Sequence, residues 1–411
     1  MDKDIDTEAQ RQQALSELEK SLGVRACITD PSKRGFVAGG LDWLKLYGFG
    51  SPTTADLLTR LEKAKSRLKD GGREEWVELA GMTWRVEAFG DGKGSNNLPY
   101  VLTCAGLRLA LGSRAGSGPV AMIEAQGSYC AGRDPQQLHK ELKEIVCKAG
   151  VNPDRFIVSR LDIHGDMAGI HLSTFVKVFA SGGVIKRAKK WSLFGEGNFE
   201  DVSGLYFGKR GRGAYCRIYD KVRELERDED KYKNYCAAHD LAELPSALTR
   251  VEFELNGEWF RDEWRDSDSD AVFDRLGTIT EYLMHQWLRF CSHVNRNNSQ
   301  DSKPCSWWKY LGLKMAQQMH GFEKRSQKPR PIPRTSKYLD QIRGNIAGLV
   351  GGKLGQGPAD IAIAFNRYVF PLFRESDHEK FRDSLETKCL QHEQRLGEWE
   401  HWCSQGLAEA G

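Results

Sequence analysis

The chain has 411 residues, 60 Lys plus Arg against 57 Asp plus Glu, and a formal net charge of +3. Two or three domains with a sizeable core are expected from this length, and no global charge field points to nucleic acid. Apolar residues at 40% with Gly and Pro at ordinary usage exclude low-complexity and collagen-like chains. No apolar run approaches a membrane span, and the charged N-terminus lacks the apolar segment of a signal peptide. The ten cysteines are scattered without a C-x-x-C pair, which fits reduced thiols in a cytoplasmic protein.

In chain order, residues 1–22 carry a thin apolar stripe of Ala14, Leu15, Leu18 and Leu22, the pattern of a peripheral helix within segment 1–34. Gly35 to Gly50 reads as a strand. Thr53 or Thr54 then caps a helix whose apolar face is Leu57, Leu58, Leu61, Ala64 and Leu68. Residues 74–89 alternate like a strand, and Gly90 to Asn97 is a loop. Val120 to Gln126 is a strand, and Asp134-Pro135 supplies the N-cap and N1 proline of a helix burying Leu138, Leu142, Ile145 and Val146. Phe156 to Ile163 is a strand, followed by a helix from about Ser173 to Ala180. Gly204 to Gly208, Ala214 to Tyr219 and Leu248 to Leu255 read as strands, with a charged helical stretch from Lys221 to about Ala238. Beyond Ser267 the pattern is mostly helical, interrupted by a basic, Pro-rich linker at 324–337. The order implies an α+β fold, a sheet at 35–265 with helices on one face, and a helical region at 266–411.

Two familiar chemistries are absent. Gly348 to Leu354 (GLVGGKL) is one residue short of a phosphate loop and has Leu where Ser or Thr should follow the lysine, so it reads as a glycine-rich helix end. The ten histidines form no H-x-H and no H-E-x-x-H, so a short-spaced histidine metal cluster is missing.

Strand alternation is more informative. It places Arg160, Asp162 and His164 on one face of their strand, and Arg250, Glu252 and Glu254 together on theirs. Glu124 stands alone in an apolar strand. Carboxylates from three strands could converge on one sheet face, a set suited to a hard cation such as Mg²⁺ or Mn²⁺. The alternative is that each is an ion-pair partner, with Arg160 and Arg250 as the obvious mates. The segment Gly204 to Glu224 is basic, through Lys209, Arg210, Arg212, Arg217, Lys221 and Arg223, and it interleaves Tyr206, Tyr215 and Tyr219. Cations that track a backbone beside aromatic faces suit single-stranded nucleic acid. A tyrosine beside carboxylates and a phosphate-binding cation has the parts for phosphodiester attack, although the residues alone favour an ordinary packing role for Tyr219.

VAMIEAQGSYC, RLDIHGD, GLYFGKRGRGAYCRIYDK and LTRVEFEL resemble the successive blocks of the Rep_trans replication initiation factors. These are rolling-circle initiators of plasmids and phages, with relatives among the relaxases of conjugative elements. AGGLDWLKLYG resembles that family's entry strand and PCSWWKYLG its tryptophan block, so the resemblance spans roughly residues 36–315. AQGSYC after Glu124 departs from the Ser-Gly-Gln-Gly-Cys-like turn expected there. The resemblance implies a nicking domain akin to the HUH endonucleases, with carboxylates in place of the histidine pair. By position it implies Tyr219 as nucleophile, in an R-x-Y-x-K context, forming a 5′-phosphotyrosyl link. Arg217 and Lys221 would hold the scissile phosphate. Glu124, Asp162 and Glu252 would bind Mg²⁺ or Mn²⁺, with Asp166 and Glu254 in reserve. Lys209, Arg210 and Arg212, with Lys186, Arg187, Lys189 and Lys190, would grip origin DNA. No helicase motor is visible, so a host helicase is an implied partner, and a homodimer is compatible. A relaxase with the same chemistry and a catalytically silent DNA-binding regulator are the alternatives.

Overall fold

In the computed structural model, the described residues are 2–22, 35–51, 53–70, 74–90, 98–112, 118–195 and 201–319, with side chains from Gln12 onward. They belong to the first of two compact units, Met1–Arg325. The second, Ser326–Gly411, lies outside them, as do most of the expected loop at 90–97, the 324–337 linker and the glycine-rich segment at 348–354.

Helix α1 (Asp2–Leu22) precedes strand β1 (Gly35–Ser51), and α2 (Ala55–Lys69) follows it. Two hairpins come next: β2 (Trp76–Leu79) with β3 (Met82–Val86), and β4 (Tyr100–Cys104) with β5 (Leu107–Leu111). Ala80-Gly81 and Ala105-Gly106 make their two-residue turns with positive φ at all four positions, the twist that hairpins favour. Residues 74–89 are therefore a hairpin rather than the single strand expected from alternation, and the β4–β5 hairpin had no counterpart in the sequence reading. Strand β6 (Ala121–Ala125) leads through a short helix α3 (Gly127–Cys130) to α4 (Pro135–Lys148). There the Asp134 carboxylate accepts from the Gln137 N–H, and Pro135 opens the helix as its sequence predicts.

Strand β7 (Asn152–Ala168) is followed by α5 (Leu172–Ala180), β8 (Val184–Lys186), β9 (Trp191–Gly195), β10 (Val202–Lys209) and β11 (Arg212–Asp220). The charged stretch after β11 forms two helices, α6 (Lys221–Glu226) and α7 (Glu229–Ala238), before β12 (Leu248–Asn256). Eleven of these strands form one antiparallel sheet in the order β2-β3-β4-β5-β6-β1-β7-β12-β11-β10-β9. The fold is α+β, as the element order implied.

The two sheet faces differ in chemistry. One carries Leu44, Leu46, Ile123, Leu161, Ile163, Phe253 and Ile218, all fully buried in the main core with Leu138, Leu142 and Phe175 of the helices. The other carries the charged residues of β7, β11 and β12, and α6 and α7 pack on one end of it, around Leu225 and Tyr235. Beyond Ser267 the chain is not purely helical. It contains the strands β13 (Leu288–His293) and β14 (Lys303–Pro304), and β13 pairs with β8. The helix Ser306–Gln318 lies on the apolar face, and α1 ties to it through Leu15 and a 3.0 Å Lys314–Glu19 ion pair. The expected boundary at 265/266 thus falls within one shared core. No helix among the described residues is long and apolar enough to cross a membrane.

Contact between β7 and the Ser306–Gln318 helix is close. A Cβ on Gly165 would strike Met315 Cγ and meet Leu311 Cδ1 at 3.1 Å. Gly165→Val should therefore destabilise the fold by about 1–3 kcal/mol through overpacking, read as a lowered denaturation midpoint. An unchanged midpoint would separate this helix from the sheet.

Candidate active site on the polar face of the sheet

Three strands, β7, β12 and β11, build the centre of the polar face, and their register sets who meets whom. Asp166 of β7 lies opposite Arg250 of β12, which lies opposite Tyr219 of β11. One step along the strands, His164 lies opposite Glu252 and Glu252 opposite Arg217. One step further, Asp162 faces Glu254, which faces Tyr215. Residues two apart on a strand share a face, so these three rows form one continuous surface.

The first row is held by a buried ion pair. Arg250 donates to Asp166 through Nε at 2.6 Å and Nη2 at 2.7 Å, and the Tyr235 hydroxyl of α7 donates to the same carboxylate at 2.6 Å. The third guanidinium nitrogen donates to Asp42 at 2.9 Å. Asp42 reaches this face because β1 is bulged there: its register to β7 slips between Leu41 and Trp43. Burial alone would raise the Asp166 carboxyl, but the Arg250 charge and hydrogen bonds overrule it and hold the group well below its usual range. Lys221, buried beside this pair, is pushed down by burial and by the Arg250 charge, and it pairs with Glu224.

The second row centres on Glu252, which also binds Tyr219 of the first. Tyr219 Oη donates to Glu252 Oε2 at 3.1 Å, and Arg217 donates to the other oxygen of the same carboxylate. Glu252 is fully buried, and burial followed by the nearby Asp42 charge raises its pKa against the pull of Arg217. The Tyr219 phenol is lifted well above its ordinary value by burial and by Glu252. Arg217 and Lys221 lie 5.9 and 5.8 Å from the Tyr219 ring centre. An anion at the tyrosine would meet both. His164, at the β7 end of the row, has neither ring nitrogen hydrogen-bonded among the described residues. Burial and the Arg250 charge push it down to about 3, so the imidazole is neutral at ordinary pH.

In the third row Arg160 grips Asp162 with two bonds of 2.9 and 2.6 Å and reaches Glu254 at 3.1 Å, while stacking over Trp43 at 4.4 Å. Burial lifts the Asp162 carboxyl to about 7; Arg160 opposes this, while Glu252 and Glu254 push the same way. Arg210 closes the row on Glu254 at 3.3 Å.

The three residues expected to hold Mg²⁺ or Mn²⁺ do not meet. Glu124, on β6, pairs with Lys45 of β1 at 3.4 Å. It is three strands from Glu252, about 14 Å across the sheet at the usual strand spacing. Asp162 and Glu252 are diagonal neighbours, but Arg160, Arg217 and Tyr219 take their oxygens. Such a cation wants about six oxygen ligands, and among the described residues no three acidic, histidine or cysteine side chains form a cage. Glu124, Asp162 and Glu252 as placed do not fit the ion. The carboxylates serve as ion-pair partners, with Arg160 and Arg250 as mates and Arg217 added.

The expected DNA-gripping cations divide into two groups. Lys189, Lys190, Lys209 and Arg210 line one cleft of about 460 Å³ with Tyr215 at its side. Arg212 is exposed at the start of β11. Arg187 instead turns to Glu263 at 3.6 Å and the Tyr282 ring, and Lys186 ties to the Ala188 carbonyl at 3.0 Å. Residues the sequence reading passed over are Asp42 and Tyr235, both tied to the first row. No local signal marks them, because a bulge delivers one and a helix docking the other.

No protein-family model matches the chain, and no curated protein matches it. Among solved structures it is similar to a rolling circle replication initiator protein from Geobacillus stearothermophilus. The two are 14% identical, with a TM-score of 0.41, over 68% of this chain and 97% of that one. At that distance the roles of individual residues rest on the geometry above.

The Asp166–Arg250 pair makes a stability prediction. A carboxyl held below its unfolded value near 4 stabilises fully above that pH and loses this contribution as the pH falls. Arg250→Met should cost about 3–5 kcal/mol at pH 7, because it strands a buried carboxylate. The deficit should shrink towards pH 4, as the stranded Asp166 takes up a proton. Denaturant titrations across this range check it, and a small or pH-independent deficit would contradict it.

Proposed function

We propose that this chain is a rolling-circle replication initiator that nicks one DNA strand through Tyr219. The observation that carries the proposal is the Tyr219–Glu252 hydrogen bond, with Arg217 on the second oxygen of the same carboxylate. A phenol is a weak nucleophile until a positioned base takes its proton. Glu252, whose pKa is raised by burial, is better matched to that task than an exposed glutamate.

In the proposed reaction the phenolic proton passes to Glu252 as the tyrosyl oxygen bonds to phosphorus. The bond from phosphorus to the 3′ oxygen breaks, and that oxygen leaves and is protonated from solvent. The products are a 5′-phosphotyrosyl link and a free 3′-OH. The number of phosphodiester-type bonds is unchanged, so resealing by the reverse path needs no nucleotide. Arg217 and Lys221 flank the ring and supply positive charge to the phosphate as it gains negative charge in the transition state. Origin DNA is the proposed partner, with strand separation left to a separate helicase.

The test is covalent attachment. Protein incubated with supercoiled DNA of its own replicon and Mn²⁺ or Mg²⁺ should yield an SDS-resistant, protease-sensitive adduct, and a parallel reaction with EDTA tests whether a divalent ion is needed. Tyr219→Phe should yield none while binding the DNA as before. Glu252→Gln should slow adduct formation by roughly 10²–10⁴-fold, the usual contribution of a general base. A protein that binds this DNA without ever becoming attached would instead be a silent regulator.

Glu124 separates this scheme from the metal-cage expectation. Because Glu124 is spent on Lys45 across the sheet, Glu124→Gln should form adduct at the wild-type rate. A loss comparable to that of Glu252→Gln would return Glu124 to the site.

A further inference from the structure

We propose that Phe194 and Tyr206 form a stacking platform for a nucleobase of single-stranded DNA beside Tyr219. The inference rests on the nicking reading for the identity of the strand, and on separate geometry for the subsite. Phe194 sits on the edge strand β9, opposite Gly204 of β10, and Gly204 sits opposite Tyr219 of β11. Those three positions form one row across the sheet. A Cβ on Gly204 would strike the Tyr206 ring at 2.7, 3.0 and 3.1 Å, so that ring lies over the glycine, between Phe194 and the tyrosine nucleophile. The Phe194 and Tyr206 centroids are 4.6 Å apart with the planes tilted at 41°, and Tyr215 meets Tyr206 edge-on at 5.9 Å.

Phe194 is 47% exposed, an uncommon state for a large apolar ring that has a sheet face to pack on. Its described neighbours on this face do not cover it. The residue opposite Tyr206 on β9 is Ser192, and the residue opposite Tyr215 on β10 is Gly208. Small residues where bulk would bury the rings leave aromatic faces open to a flat ligand. Trp191, also exposed, is excluded: it points to the other face, 4.7 Å from Phe179.

Charge identifies the ligand class. Lys189, Lys190, Lys209 and Arg210 gather at the ends of the same strands, and the three lysines make no ion pair with described residues. Apolar rings bordered by cations match a polyanion that carries flat bases. The platform also lies where a base next to the scissile phosphate would fall, two strand spacings or about 10 Å from Tyr219 to Phe194. Stacking needs no particular base, so the subsite would hold the strand and leave sequence choice to other contacts.

The experiment uses the full chain carrying Tyr219→Phe, so that binding is read without cleavage. Thymidine oligonucleotides with one 2-aminopurine at successive positions are titrated, and both Kd and fluorescence are measured. One position should be strongly quenched. Phe194→Ala and Tyr206→Ala should each relieve the quenching and weaken binding by about 5- to 100-fold, the range for loss of one stacked base. Tyr206→Phe, which keeps the ring, should behave as the parent. Gly204→Val, which must displace the ring, should behave as Tyr206→Ala, with far-UV circular dichroism confirming that each variant is folded. Absence of quenching at every position, or alanine variants matching the parent, would overturn the platform. Light scattering is run alongside. A self-association lost on Phe194→Ala with DNA binding unchanged would assign the rings to a second copy of the chain and also overturn it. Adduct formation by the protein with Tyr219 intact judges the nicking reading on its own: a platform can fail while the adduct forms, and the adduct can fail while bases still stack.

Discussion

The buried pair between Asp166 and Arg250 is the constraint on which the rest of the polar face depends. It joins β7 to β12, and through Asp42 and Tyr235 it also pins the bulge of β1 and the docking of α7. Taking an aspartate and an arginine out of water is expensive, and it is tolerated only where nearly every donor and acceptor is engaged. Here both carboxylate oxygens and all three guanidinium nitrogens are used. That saturation fixes the register of β12, and the register in turn places Glu252 between His164 and Arg217, one step from Tyr219.

Three buried carboxylates on neighbouring rows are thereby given different work. Asp166 is saturated and kept ionised, which makes it structural. Asp162 is held by Arg160 and belongs to a chain of alternating charge that ends on Glu254 and Arg210. Glu252, like Asp166, is shared between a cation and a phenol, but its pKa is raised where that of Asp166 is lowered. The cations divide in the same way: Arg217 and Lys221 flank Tyr219, Lys189 and Lys190 join the β10–β11 turn, and Arg187 is spent on Glu263 and Tyr282.

Much of this face was legible in the sequence. Alternation put Arg160, Asp162 and His164 on one side of β7 and Arg250, Glu252 and Glu254 on one side of β12, and both sides proved to be the same face of one sheet. The α4 cap and its proline were equally clear, because capping is a matter of four adjacent residues. The β4–β5 hairpin escaped notice because its turn, Ala-Gly, is a weak signal beside Asn-Gly or Asp-Gly. Glu124 was grouped with Asp162 and Glu252 because alternation gives the side of a strand but not its place in the sheet.

What the sequence determined by itself was therefore local: most of the helices and the long strands, which side of each of those strands is polar, and that the basic segment around Tyr219 interleaves aromatic rings. Only the tertiary structure decided the strand order that removes Glu124 from the site, the bulge that turns Asp42 towards Arg250, and the helix that brings Tyr235 to Asp166. The reason is physical. Side-chain alternation and helix capping are governed by sterics and hydrogen bonds within a few residues. Strand order and register are chosen by burying one apolar face and saturating one set of charges at once, among residues as far apart in sequence as Asp42 and Arg250.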